Sequence, residues 1–172
     1  MKPQGLFMLT LILIGLLPVI AVYTDNNQGM GSYYLLVYCK TRDSSRIVMI
    51  MKFDSPTMAN LSFIHSVHKT PIYDILLINS TGFYGIQHWT KAFGAGEPDT
   101  PEDAGAAYWT YNPKTGFYIF TGMNRPLGRK LYLPIDISYN MSITILYNGI
   151  PVKLDSETCN HTLEIIDYGV TS

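Results

Sequence analysis

Turn-forming residues interrupt this sequence roughly every 8–12 residues, and that spacing constrains the fold more than any other feature. Short runs rich in β-branched, aromatic and other apolar side chains lie between the turns, and no long stretch keeps a helical period. About eleven such runs occur, so the sequence predicts an all-β fold, an antiparallel β-sandwich with a closed β-barrel as the alternative. The predicted strands are residues 33–40, 46–53, 61–68, 72–78, 83–90, 106–111, 117–122, 130–138, 141–147, 150–154 and 163–168.

Asn148-Gly149 is the best two-residue hairpin turn in the sequence, and a second, strongly aromatic hairpin is predicted in residues 106–122. Its two aromatic and β-branched runs flank the segment Asn112-Pro-Lys-Thr-Gly116. Pro113 presets the backbone of a type I turn, and Gly116 can take the left-handed conformation that closes such a loop. Because the aromatic rings need a cover, we expect the other strands to pack on this hairpin.

The N-terminus has the features of a secretory signal peptide. Lys2 provides a positive charge, residues 6–22 are almost entirely apolar, and Ala21 suits cleavage. A retained signal-anchor helix is the alternative, because an apolar run of about 17 residues is near the lower limit of a membrane span. We expect residues 1–21 to be removed and residues 22–172 to form a single secreted, extracellular domain without further membrane contact.

The charge balance of the predicted mature chain argues against nucleic acid as a partner. Once Lys2 is removed, 11 of the 12 Lys and Arg residues remain against 13 Asp and Glu residues, and no block of like charge occurs. Nucleic acids and anionic membrane surfaces select basic patches, which this sequence lacks.

Cys39 and Cys159 are the only cysteines in the chain. An isolated pair in an oxidising compartment is most simply one disulfide, which here would join the first predicted strand to the end of the chain. Two free thiols and intermolecular pairing are the alternatives.

Four sequons for N-glycosylation support a secreted protein. Each motif is weak when it stands alone, but four of them behind a signal peptide form a stronger set. The acceptor residues are Asn60, Asn79, Asn140 and Asn160.

The histidines match no known ligand spacing. His65 and His68 are predicted to lie on one strand, where their spacing places them on opposite faces, so we expect two partly exposed side chains that share no metal. His88 beside Trp89 adds no recognisable motif.

Acidic residues concentrate in the Gly/Pro-rich segment 92–105. A solvated loop is the expected structure, with calcium ligation or a carboxylate pair of a secreted hydrolase as alternatives. Within this segment, Thr100-Pro-Glu-Asp103 predicts the start of a one-turn helix. The acidic residues are Glu97, Asp99, Glu102 and Asp103.

Aromatic residues of the predicted hairpin are the strongest functional signal. Tyr and Trp offer a large contact area at low entropic cost, and no nucleophile, metal or cofactor motif suggests catalysis. We therefore expect a binding protein without a cofactor that recognises an extracellular protein or glycan, the alternatives being a small-ligand carrier with a barrel cavity and the secreted hydrolase. The predicted binding residues are Tyr108, Trp109, Tyr111 and Tyr118.

Overall fold

The computed structural model describes residues 32–135 and 140–169, which form eleven strands and one short helix. The predicted signal peptide, residues 1–21, lies outside the described residues. The all-β class and the number of strands agree with the prediction. The strands are β1 (Tyr33–Lys40), β2 (Ser45–Phe53), β3 (Thr57–Ile64), β4 (Pro71–Asn79), β5 (Gly82–Thr90), β6 (Tyr108–Asn112), β7 (Phe117–Gly128), β8 (Lys130–Pro134), β9 (Ser142–Tyr147), β10 (Ile150–Leu154) and β11 (Thr162–Gly169), and the helix is α1 (Pro101–Ala104).

The described residues form two open antiparallel sheets. The smaller sheet has the strand order β2-β1-β11-β8, and the larger has the order β10-β9-β3-β4-β5-β7-β6. The strand predicted at residues 130–138 contains Pro134, which favours an edge position or a bulge, and in the structure it is β8, an edge strand of the smaller sheet. Because both sheets are open, the described chain is a β-sandwich and the closed-barrel alternative is wrong.

The main core fills the space between the two sheets. On β1, every second side chain is buried, which is the pattern of a strand with one face on a core. The disulfide predicted between Cys39 and Cys159 is present at the edge of this core, with Cα atoms 5.5 Å apart. The most deeply buried members of the core include Tyr33, Leu35, Met51, Ile78, Phe83, Ile143, Leu154 and Leu163.

Three predicted segments differ from the structure. The third strand, predicted at residues 61–68, is β3 and ends at Ile64. A turn follows, closed by backbone hydrogen bonds from His65 N–H to the Thr70 carbonyl oxygen and from Lys69 N–H to the His65 carbonyl oxygen. Residues 123–128, which fall between the predicted strands 117–122 and 130–138, continue β7 to Gly128 because they pair with the start of β5. Pro126 is tolerated there because β7 has β5 as its only described strand partner beyond Thr121.

The eighth predicted strand is shorter than expected. Predicted at residues 130–138, it ends at Pro134 in β8, and residues 136–138 lie outside the described residues. No helix within residues 32–135 and 140–169 combines the length and the apolar character needed to cross a membrane.

The hairpin β6–β7 lies at one end of the larger sheet, with β6 as its edge strand. The expectation that the other strands pack around this hairpin is therefore wrong, since the main core forms between β1 and the middle of the larger sheet. Only Phe117 and Phe120 of the predicted hairpin's aromatic rings are buried. The rings of Tyr108, Trp109 and Tyr111 are exposed, and that of Tyr118 is partly exposed.

Candidate functional site

The turn of the β6–β7 hairpin forms as its residues predict. The side chain of Asn112 accepts a hydrogen bond from the backbone N–H of Lys114 at 3.0 Å, and its carbonyl accepts one from Gly116 at 2.8 Å. Gly116 has a φ of 75°, in the left-handed region. This local geometry sets the register that places Trp109 opposite Phe120 and Tyr111 opposite Tyr118.

Four rings form a continuous aromatic surface on one face of this hairpin. Tyr118 is the centre, with its ring 4.9 Å from Tyr111, 5.3 Å from Trp109 and 4.3 Å from Phe93. Phe93 comes from the loop between β5 and β6 and also meets Trp109 edge-on at 6.4 Å. We call Phe93, Trp109, Tyr111 and Tyr118 the aromatic surface.

The aromatic surface includes three of the four predicted binding residues. Trp109 keeps 41% and Tyr111 keeps 51% of their surface exposed, although both touch other rings. Tyr108 is equally open to solvent, but it lies one position along β6 and therefore points to the opposite face. Phe93 was not predicted, because its place depends on how the loop folds back.

A small second core adjoins the aromatic surface on the same face of the sheet, and Phe93 and Tyr118 pack against it. Phe120, which has no exposed area, packs with Met123 and with Ala104 of α1. The predicted helix start is confirmed: the Thr100 side chain caps α1 by accepting from the N–H of Asp103 at 3.2 Å, and Pro101 occupies the first turn. The loop from 91 to 107 is therefore anchored on the sheet through its own helix.

A buried cluster of ionisable side chains lies on the same sheet face as the aromatic surface. Cross-strand pairing places Asp74 of β4 opposite His88 of β5, and His88 opposite Phe120 of β7. His88 Nδ1 is 2.6 Å from Asp74 Oδ1, and His88 Nε2 is 2.6 Å from Glu97 Oε2. The loop between β5 and β6 thus places the Glu97 carboxylate on the ring nitrogen of His88 that Asp74 does not contact.

The turn between β3 and β4 adds two histidines to this cluster. His65 Nδ1 accepts hydrogen bonds from the backbone N–H groups of Val67 at 3.2 Å and His68 at 3.1 Å. The proton of a neutral His65 ring is then on Nε2, which faces Glu97 Oε1 at 3.5 Å. His68 stacks on His65 with ring centroids 4.8 Å apart, and its Nε2 is 3.3 Å from the carbonyl oxygen of Gly94.

Opposed effects set the pKa values at the centre of the cluster. Burial lowers the pKa of His88, but hydrogen bonds to Asp74 and Glu97, together with their charges, outweigh burial and raise this pKa to about 9. Burial raises the pKa of Glu97, whereas the contacts with His88 outweigh burial and lower this pKa. At neutral pH the arrangement is an imidazolium ion between two carboxylates.

These residues were misjudged from the sequence. His65 is buried and lies in a turn, so the expectation of a partly exposed strand residue is wrong. The side chain of Glu97 is only 7% exposed, so the expectation of a solvated carboxylate is wrong for this residue, whereas Glu102 and Asp103 are exposed as expected. Among the described residues, no three His, Cys, Asp or Glu side chains are arranged to hold a metal ion.

The four predicted glycosylation residues have different surroundings. Asn140 and Asn160 are exposed. Asn79 is buried, and its Oδ1 accepts hydrogen bonds from the backbone N–H of Thr81 at 2.8 Å and from its hydroxyl at 2.6 Å. Asn60 lies within β3, between β4 and β9, with its Oδ1 shielded from solvent.

Comparison with protein families places most of these features in one domain. Residues 59–154, more than half of the chain, match a family described as a domain of unknown function, DUF1850. The chain belongs to the DUF1850 family. The DUF1850 match contains the whole aromatic surface and the whole buried cluster. No curated protein and no solved structure matches the chain.

Proposed function

We propose that this protein is a secreted binding protein that recognises an extracellular protein or glycan through the aromatic surface and the loop beside it. The main support is that Trp109 and Tyr111 remain exposed to solvent while their rings pack against Tyr118, and Trp109 also packs against Phe93. Rigid aromatic rings of this kind are favoured in recognition sites, because little side-chain freedom is lost when a partner binds.

The position of the surface in the sheet supports recognition of a partner. β6 is the edge strand of the larger sheet, so alternate backbone N–H and C=O groups along it have no strand partner among the described residues. A protein partner gains hydrogen bonds there as well as ring contacts. A glycan uses the ring faces alone, which makes it the second candidate.

Binding fits the geometry better than either alternative function. The carrier hypothesis required a barrel interior, whereas the sheets are open and the space between them is filled by apolar side chains. The hydrolase hypothesis calls for two carboxylates that converge in a cleft, whereas Asp74 and Glu97 each bind one ring nitrogen of His88. Neither alternative uses the exposed rings.

The test is binding of the labelled protein to eukaryotic cells that have been treated with protease, with glycosidases, or left untreated. Trp109→Ala and Tyr111→Ala should each weaken binding by about 2 kcal/mol or more if these rings are anchors. Tyr168→Ala is the matched control, because it removes an exposed tyrosine from the smaller sheet. Loss of binding after protease treatment alone identifies a protein partner, and loss after glycosidase treatment alone identifies a glycan.

Tyr108→Ala separates two geometries of recognition. Tyr108 is on the opposite face of β6, so its removal should leave binding unchanged if the partner contacts only the aromatic surface. Weaker binding by this variant indicates that the partner wraps around the edge of the sheet. Equal binding by Trp109→Ala, Tyr111→Ala and wild type, with all three folded, would show that the proposed site is wrong.

A further inference from the structure

The loop between β5 and β6 connects the buried cluster to the aromatic surface within five residues. Phe93 is in the aromatic surface, and Glu97 is in the cluster. A tight turn joins them: the N–H of Glu97 donates to the carbonyl oxygen of Gly94 at 3.1 Å, and residues 94–96 all have positive φ angles. Phe93 and Glu97 therefore flank one short, hydrogen-bonded turn.

We propose that Asp74, His88 and Glu97 form an ionic clamp that positions this loop, so that the proton held by His88 keeps Phe93 within the aromatic surface. Only the role of the clamp in partner recognition rests on the proposed function. The positioning of the loop by the clamp is independent of it. In this arrangement His88 and Asp74 are positioning residues, which act on the surface through Glu97.

The hydrogen-bond geometry requires a charged histidine. Both ring nitrogens of His88 lie 2.6 Å from a carboxylate oxygen, and carboxylates at neutral pH only accept hydrogen bonds. A neutral imidazole has a single N–H group, so one of its two nitrogens would place a lone pair against a carboxylate. Loss of the proton must therefore break or lengthen one of the two contacts.

Glu97 is the partner expected to leave. Asp74 lies within β4, where pairing with both β3 and β5 fixes its backbone. Glu97 belongs to a loop whose local pairing is the single bridge to Gly94. Local opening begins in segments with few ordered backbone bonds, so the loop moves more readily than the sheet.

The groups that face His88 are few. Asp74 contacts it from β4, Glu97 contacts it from the loop, and the uncharged ring of Phe120 lies 6.1 Å away on β7. His65 meets the cluster through Glu97, and His68 adds a bond to the Gly94 carbonyl oxygen. The clamp is thus one cation between two anions. The β3–β4 turn also contacts the loop, through His65 and His68.

The state of the clamp depends on pH in a defined direction. The pKa of His88 is raised to about 9, so the imidazolium persists through neutral pH and is lost as the pH rises through that value. The pKa of Glu97 is lowered, so its carboxylate is lost only in acid. The loop should be held through neutral pH and released when His88 becomes neutral.

The experiment follows the wild-type protein by NMR between pH 6 and pH 10 without any ligand. We expect the His88 ring signals to titrate near pH 9, as the folded-state pKa predicts, and the Trp109 indole N–H to shift with the same midpoint because it borders Phe93. Titration of His88 near its ordinary pKa of 6.5, or a Trp109 signal that does not follow His88, overturns the proposal.

Matched variants test the same point at neutral pH. Glu97→Gln keeps the shape of the side chain and removes its charge, so amide hydrogen exchange in residues 92–98 should accelerate about tenfold or more while β1 and β11 keep their protection. Glu102→Gln removes an exposed charge from the same loop and should leave exchange unchanged. Equal exchange in the two variants overturns the clamp. Since neither experiment includes a partner, failure of the binding proposal leaves these results unaffected.

Discussion

The carboxylate of Asp167 lies 3.5 Å from the guanidinium of Arg129, with no exposure to solvent and no hydrogen bond to either oxygen. The hydrogen bonds of Arg129 go to backbone carbonyl oxygens instead: Nε donates to that of Asp167 at 3.2 Å, and Nη2, the atom nearest the carboxylate, donates to that of Ser80 at 3.2 Å. Asp167 is opposite Leu35 in the sheet, so its side chain faces the main core. Burial raises its pKa to about 6, although the charge of Arg129 opposes this rise.

Replacement of Asp167 should therefore change stability in a pH-dependent way. The pKa of Asp167 is about 6 in the folded state and 3.8 in the unfolded state, so the folded state binds the proton more tightly. The ionised side chain therefore lowers the free energy of unfolding above pH 6, and this loss disappears as the pH falls and the carboxyl group takes up its proton. We expect Asp167→Asn to be more stable than wild type by about 1–2 kcal/mol at pH 7.5 and to lose this advantage toward pH 4. Urea unfolding of both proteins across this range measures the difference. A difference that is independent of pH contradicts the prediction.

The cluster at His88 should make stability fall at higher pH. Its pKa is raised from 6.5 to about 9, so its contribution is complete below pH 6.5 and is lost as the pH rises to 9. We expect His88→Gln to lower the free energy of unfolding by about 3 kcal/mol at pH 6, because the nearly buried Glu97 carboxylate and the partly exposed Asp74 carboxylate lose their shared cation. The cost should be smaller at pH 9.5. His161→Gln is the control, since His161 is exposed, and a constant cost across this pH range would exclude a charged His88.

Local sequence chemistry predicted the turns and the helix start because each depends on a few adjacent residues. Asn148 and Gly149 have φ angles of 51° and 77°, as a two-residue hairpin turn requires, and both residue types tolerate this region. The Asn112–Gly116 turn and the Thr100 cap have the same local origin. The disulfide was predictable for a different reason, since only one intramolecular pairing of two cysteines exists.

The buried cluster was not predictable because its central pair depends on an irregularity. The turn that pairs Asn79 with Gly82 would, in a regular hairpin, place Asp74 opposite Gln87. A register shift at Ile75/Leu76, where β5 contains one extra residue, places Asp74 opposite His88 instead. Nothing in the apolar alternation of β5 marks this bulge. The burial of Glu97 depends further on a loop that folds back across the sheet.

Removal of the disulfide should lower stability substantially. Cys39 and Cys159 are 120 residues apart, and closing so long a loop restricts the unfolded chain by about 4–5 kcal/mol in the chain-entropy account. The double variant Cys39→Ala/Cys159→Ala should therefore unfold at much lower urea concentration than oxidised wild type. Wild type unfolded in the presence of a reductant is the control and should behave like the variant. Equal stability of oxidised wild type and the double variant would contradict the prediction.

Glycosylation should follow the exposure of the four acceptor residues. When the full chain is expressed through a eukaryotic secretory pathway, we expect glycans at Asn140 and Asn160, which are exposed, and not at Asn79, which is buried. Asn140→Gln and Asn160→Gln should each remove one glycan from the intact mass. Asn79→Gln should leave the mass of the glycans unchanged and lower stability by about 1 kcal/mol, because its two bonds to Thr81 are lost. A glycan on Asn79 of the folded protein would contradict this assignment.

Two glycines of the β6–β7 hairpin provide a matched pair that tests how the loop joins the aromatic surface. Gly116 and Gly122 have φ angles of 75° and 77°, so alanine is strained equally at both. A Cβ atom on Gly116 meets nothing within 4 Å, whereas one on Gly122 lies 2.7 Å from the Cβ of Ala107, where the loop enters β6. The difference between the two substitutions therefore isolates this single contact.

We expect Gly116→Ala to lower the free energy of unfolding by about 1 kcal/mol. Alanine is strained in the left-handed region, and this strain is partly offset because the unfolded chain becomes less flexible. Gly122→Ala should cost about 1–3 kcal/mol more, because the start of β6 must move away from β7. The double variant Gly122→Ala/Ala107→Gly removes the opposing Cβ and should recover most of the additional loss. Urea unfolding of wild type, the two single variants and the double variant measures these differences. Equal costs for the two single substitutions would show that Ala107 yields freely and that the junction between loop and hairpin is not closely packed.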